Sequence, residues 1–89
     1  MNDLTFDSKG WSDYLHWQTQ DRKTLKKINS LLEDIKRNGA MKGTGKPELL
    51  KHNKTGLYSR RIDEENRLVY DIDELQNIKI ISCKGHYEG

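Results

Sequence analysis

The chain changes its hydrophobic period once, and that change limits what it can fold into. Leu25, Ile28, Leu31, Leu32 and Ile35 recur at spacings of three and four, which makes one apolar stripe along a helix. After residue 56 the period is two. Leu57–Ile62, Arg67–Ile72 and Ile78–Lys84 alternate as half-buried strands do, and Asp63-Glu64-Glu65-Asn66 and Asp73 through Asn77 supply turns between them. Links this short require antiparallel neighbours.

The remaining segments fit around these. Asp21 is a suitable cap for the striped helix, Lys36-Arg37 suit its negative end, and Asn38-Gly39 stops it. Trp11, Tyr14, Leu15 and Gln18 predict an earlier helix over about Lys9–Thr19, capped by Asp7 or Ser8. The few residues between the helices imply an antiparallel pair. Residues 3–6 can form a first strand, and Leu49–His52 a further extended piece. Residues 39–47, with three glycines and the only proline, predict a loop. The expected class is α+β, two N-terminal antiparallel helices on one face of an antiparallel sheet, in the order β-α-α-β-β-β. Alternation turns Leu68, Tyr70 and Ile72 toward the helices. It leaves Arg67, Val69 and Asp71, with Arg61, on the open face.

With 89 residues the chain is expected to form one domain, 1–89, and its apolar fraction of 33% predicts a thin core. A thin core favours a homodimer or a tight partner. Cys83 is the only cysteine, so an intramolecular disulfide is excluded. Residues 1–20 contain no apolar signal region and no stretch could span a membrane, which predicts a cytoplasmic protein. The net charge of +2 is uninformative, but its distribution is not. From Lys42 to Arg61 six cations stand against Glu48 alone, a local field suited to phosphate unless it is simply a solvated loop.

Some motifs can be set aside. Gly43-Thr-Gly45-Lys46 is not a nucleotide loop, because Ala40 and Pro47 occupy positions where that loop needs glycine and Ser or Thr. His16, His52, His86 and Cys83 are scattered, with no spacing of a zinc site, so no metal or cofactor is expected. Cys83 reads as a small buried hydrophobe, and Trp11, Tyr14 and Trp17 as core and helix-packing residues.

The remaining constellation lies in three places. Glu48 is the one carboxylate in the basic stretch, where neighbouring cations favour the ionised form; a salt bridge to Lys46 or Lys51 would use the same residue. Arg67 on the open face can hold a phosphate by two hydrogen bonds, or pair with a carboxylate across strands. His86 follows the last strand, and imidazole, with a reference pKa of about 6.5, suits proton donation near neutrality. Tyr87 beside it can stack on a base or pack at the sheet end. Cleavage of RNA needs a base for the 2′-hydroxyl, a cation for the phosphorane and an acid for the departing 5′-oxygen.

Together these residues resemble the YoeB (Txe) toxins of bacterial toxin–antitoxin systems, within the RelE superfamily. The matching segments are Trp11-Ser-Asp-Tyr-Leu-His-Trp17, Lys26-Lys-Ile-Asn29, Gly45-Lys-Pro-Glu-Leu-Leu-Lys-His-Asn53, Gly56-Leu-Tyr-Ser-Arg-Arg-Ile62, Glu65-Asn-Arg-Leu-Val-Tyr70 and His86-Tyr87. The resemblance implies a RelE-like fold and a metal-independent endoribonuclease that cuts mRNA in the A site of the 70S ribosome. It also implies a YefM-type antitoxin and a homodimer. By the same resemblance Glu48 is the general base, Arg67 the phosphate-stabilising cation, His86 the general acid and Tyr87 a positioning residue, while Lys51 and Arg61 contact RNA. Lys84 stands where the family often has arginine, and Gly85 follows it. The alternative class is a non-catalytic binding module that keeps the basic face.

Overall fold

A computed structural model of the chain describes residues 3–52 and 56–86, apart from the side chains of Lys51 and His52. Its elements are β1 (Leu4–Phe6), α1 (Ser8–Gln20), α2 (Arg22–Asn38), β2 (Glu48–His52), β3 (Gly56–Arg61), β4 (Arg67–Ile72) and β5 (Ile78–Ser82). The expected order holds, with the extended piece at Leu49–His52 present as β2. The strands lie in the order β1-β5-β4-β3-β2, and β2 to β5 are antiparallel neighbours. β1 departs from the all-antiparallel expectation. It runs parallel to β5, with Leu4 opposite Ile78 and Phe6 opposite Ile80, so the sheet is mixed. No turn signal marks such a pairing, because the two strands are joined through nearly the whole chain.

The helix ends follow from their caps. Asp7 accepts a hydrogen bond from the Gly10 amide at 2.9 Å and opens α1. Asp21 closes α1 and opens α2: its amide donates to the Trp17 carbonyl, and its carboxylate accepts from the amides of Lys23 and Thr24. One linking residue folds α2 back along α1, and Tyr14 and Asn29, on either side of it, meet through a 2.7 Å hydrogen bond. Gly39, at φ +89°, ends α2 in a backbone conformation that side chains disfavour.

The apolar stripe of α2 buries Ile28, Leu31, Leu32 and Ile35 against Leu68, Tyr70 and Ile72 of β4 and Ile78 and Ile80 of β5. Full burial of each aliphatic side chain is worth about 1.5–3 kcal/mol. A bulge where β5 passes Val69 and Tyr70 shifts its register, so Cys83 returns to the core three residues after Ile80. Burial, and then the Asp13 charge, pushes the Cys83 thiol up to about 12, which makes it the inert small hydrophobe expected. Trp11 is a correction. It packs on Phe6 and Tyr14 at the end of α1, but it is 48% exposed and is no core residue.

A second correction concerns Arg60, counted by sequence among the surface cations. It is wholly buried. Tyr58 and Arg60 share one parity in β3, which Ile62 continues just past its end, and they lie opposite Tyr70 and Leu68, so Arg60 must point to the core. Its guanidinium pairs with the Asp34 carboxylate of α2 and donates to the carbonyls of Gly39, Lys42 and Thr44 and to the Tyr70 hydroxyl. Tyr70 in turn donates to the Ala40 carbonyl at 2.7 Å. The loop at 39–47 is thus wrapped around one cation, and Gly45 ties it to β3 by accepting from the Arg61 amide at 2.6 Å. Burial is the largest influence on Asp34 and opposes its charge. The Thr44 amide, Arg60 and Asn38 outweigh it and hold the carboxyl below the usual carboxylate range.

Two predictions follow from this packing. A Cβ at Gly10 would press into the Ile80 carbonyl, a backbone group that cannot swing aside, so Gly10→Ala should destabilise the fold by about 1–3 kcal/mol in urea denaturation. Asp34→Ala leaves Arg60 buried without its counter-ion and should cost about 3–5 kcal/mol at neutral pH. Because the folded-state pKa of Asp34 is depressed, its contribution is complete above the unfolded value of about 4 and fades as pH falls through the folded value. The stability gap between wild type and Asp34→Ala should therefore be widest above about pH 4 and narrow below it.

Candidate active site

The sheet face away from the helices carries the expected residues in two adjacent rows. Glu48 of β2 lies opposite Ser59 of β3, which lies opposite Val69 of β4, and Arg61 lies opposite Arg67. Lys46, Glu48, Ser59, Arg61 and Arg67 line a recess of about 110 Å³. That is well below the several hundred Å³ of a typical small-molecule pocket, and its size and lining suit a single anionic group. Three of the expected residues, Glu48, Arg61 and Arg67, are therefore brought together, and Lys46 and Ser59 join them.

The charges in the recess are not used up internally. Among the described residues the ion pairs are Lys9–Asp13 and Arg60–Asp34, so none joins Glu48 to Lys46, Arg61 or Arg67. The recess presents one exposed carboxylate and three cations to whatever enters. Arg67 is half-buried and oriented by its own turn. Its Nη1 donates to the carbonyls of Asp63 at 2.8 Å and Asn66 at 3.2 Å. Its Nε and Nη2 make no hydrogen bond among the described residues, which leaves an edge able to grip two oxygens of one phosphate. Asp63 holds that turn. Burial opposes its charge most strongly, but the Asn66 side chain, the amides of Glu65 and Asn66 and the Arg67 charge together lower its pKa.

The approach to Glu48 is also held. Lys46 adopts φ +50°, an uncommon conformation for a residue with a side chain and disfavoured ahead of Pro47. The loop wrapped on Arg60 supplies the constraint that maintains it. Arg60, Asp34 and Tyr70 thus support the site from behind, and sequence reasoning missed them. The signal was present in the alternation of β3, which puts Arg61 on the open face and therefore Arg60 on the core face.

His86 does not line the recess. It is exposed, beyond a tail fixed at several points. The Cys83 amide donates to Asp13 at 3.0 Å, and Trp17 Nε1 donates to the Cys83 carbonyl at 2.8 Å. Gly85, at φ +83°, donates to Asn66 Oδ1 at 2.8 Å and accepts from the Arg67 amide at 3.0 Å. The residue before His86 is thereby bound to both Asn66 and Arg67. Tyr87 lies outside the described residues. Lys51 pairs with Leu57 through its backbone, past a bulge after Leu49, and its side chain is outside the described part. Among the described residues, no group of three or more His, Cys, Asp or Glu side chains could hold a metal ion. No helix among them is long and apolar enough to cross a membrane.

Comparison with known proteins places this geometry in a family. Residues 6–87 match the YoeB-like toxin of bacterial type II toxin–antitoxin systems. Toxin YoeB of Escherichia coli K12 is 46% identical over 84 residues, covering 94% of this chain and 98% of that protein. The YoeB dimer from Staphylococcus aureus is 55% identical, covers 97% of this chain and 98% of its own, and superposes with a TM-score of 0.86. YoeB in the heterotetrameric YoeB–YefM toxin–antitoxin complex from S. aureus is 54% identical, with 98% and 99% coverage and a TM-score of 0.84. A match over almost the whole described chain, at this identity and with this fold, means that the chain belongs to the YoeB-like toxins of bacterial type II toxin–antitoxin systems.

Proposed function

We propose that this toxin is a ribosome-dependent endoribonuclease that cuts mRNA in the A site of the 70S ribosome. The observation that carries the reading is the Glu48 carboxylate, in no ion pair among the described residues, in a recess with Lys46, Arg61 and Arg67, in a chain of this family. Glu48 removes the proton from the 2′-hydroxyl. The resulting oxygen attacks the adjacent phosphorus, and Arg67, Arg61 and Lys46 stabilise the added charge on the phosphorane. His86 gives a proton to the departing 5′-oxygen. The P–O5′ bond breaks, leaving a 2′,3′-cyclic phosphate and a free 5′-hydroxyl. Tyr87 positions the substrate or the acid, and Lys51 contacts the RNA backbone. No metal or cofactor enters these steps.

The partners follow the relatives. A YoeB dimer and a YoeB–YefM complex are solved structures, and this chain is proposed to form a homodimer and to be silenced by a YefM-type antitoxin. Such a system works on cytoplasmic ribosomes. One observation favours the alternative of a non-catalytic binder: His86 stands outside the recess.

Purified protein on programmed ribosomes should cut mRNA to products with a cyclic phosphate and a 5′-hydroxyl, and a 2′-deoxy substitution at the cut position should block the reaction. Glu48→Ala, Arg67→Ala and His86→Ala should each slow cleavage by about a hundred- to ten-thousandfold, without loss of ribosome binding. Intact mRNA on ribosomes that carry bound wild-type protein would remove the catalytic reading. Toxicity unchanged by His86→Ala would favour the binder.

A further inference from the structure

The Asn66 carboxamide stands between two groups of the proposed mechanism. Its Oδ1 accepts from the Gly85 amide, the residue before His86, across 19 positions of sequence. Its Nδ2 donates to both carboxylate oxygens of Asp63 at 3.1 Å. Asp63 and Asn66 also supply the two carbonyls that fix Arg67 Nη1. The turn has no need of that Oδ1 bond, because Asp63 already closes it by accepting from the amides of Glu65 and Asn66 at 2.8 and 2.7 Å. What the bond adds is a second tie on Gly85, whose carbonyl is held by the Arg67 amide. With one tie the tail can pivot about that carbonyl. With two, the peptide leading to His86 has a set direction relative to Arg67.

We propose that Asn66 is a positioning residue, which couples the tail carrying His86 to the turn that orients Arg67. The proposal rests on the acid role given to His86 above. Proton transfer in the transition state is sensitive to misplacement of the donor by about 1 Å, with losses near a hundredfold. Asn66 would set that placement without touching RNA.

The test compares wild type, Asn66→Ala, the exchanged pair Asp63→Asn with Asn66→Asp, His86→Ala, and Asn66→Ala combined with His86→Ala. Amide hydrogen exchange reads the tie, and mRNA cleavage on programmed ribosomes reads its consequence. In Asn66→Ala the Gly85 amide should lose protection while the Leu68 and Tyr70 amides keep theirs. Cleavage kcat should fall about ten- to a hundredfold with KM unchanged. The exchanged pair keeps an acceptor for Gly85 and an amide–carboxylate contact, so it should recover most of the loss. In the His86→Ala background, Asn66→Ala should add less than about twofold. Unchanged Gly85 protection overturns the proposal, and so does an undiminished further loss in the His86→Ala background. If wild type does not cleave, the catalytic reading and the coupling to acid placement fall together. If wild type cleaves and Asn66→Ala cleaves as well, the coupling alone falls.

Discussion

A cation sealed inside a small domain has to be compensated where it lies, and around Arg60 that need organises the half of the molecule behind the site. Desolvating a guanidinium without partners would cost more than a domain of this size has to spare. Asp34 supplies the counter-charge from α2, Tyr70 an oxygen from β4, and the 39–47 loop gives up three carbonyls. Such a loop would otherwise sample many conformations. Here it is a shell around a charge, and its exit into Lys46, Pro47 and Glu48 is set by the same contacts. The cost of burying one arginine thus fixes the entry to β2 and the recess beside it.

The two faces of β3 then divide the work. Tyr58 and Arg60 face the core, while Ser59 and Arg61 face the recess. A one-residue slip of this strand would exchange the two sets, placing the structural cation in solvent and the recess-lining one in the core. Neighbouring Arg60 and Arg61 are equivalent in composition and opposite in purpose. Paired with Asp34 in the core, Arg60 does not add to the cations that line the recess.

Much of this was legible in the sequence, where the controlling physics is local. The α2 stripe, both aspartate caps, the loop at 39–47 and the alternation of β4 each depend on neighbours a few residues away. Glu48, Arg61 and Arg67 could be grouped because strand parity and the surrounding motifs agreed. Features that depend on distant pairing could not be seen. Nothing near Leu4 announces a parallel partner at Ile78, nothing near Asn66 announces Gly85, and the bulge that returns Cys83 to the core shows only against β4. Trp11 was misread because helical spacing tells that a residue shares a face, but not how far the sheet extends beneath that face.

The pairing of β1 with β5 has a consequence for the order in which the molecule is made. The sheet joins residues 4–6 to residues 78–80, so it cannot be completed on a ribosome until almost the whole 3–86 span has emerged. The tail at 83–86 is fastened to α1 through Asp13 and Trp17, to the turn before β4 through Asn66 and to β4 through Arg67, all of which are synthesised earlier and must wait for it. A nascent chain therefore carries the carboxylate and the cations well before it can hold the histidine in place. The topology delays completion of the site until residues 78–86 have joined the strands made before them.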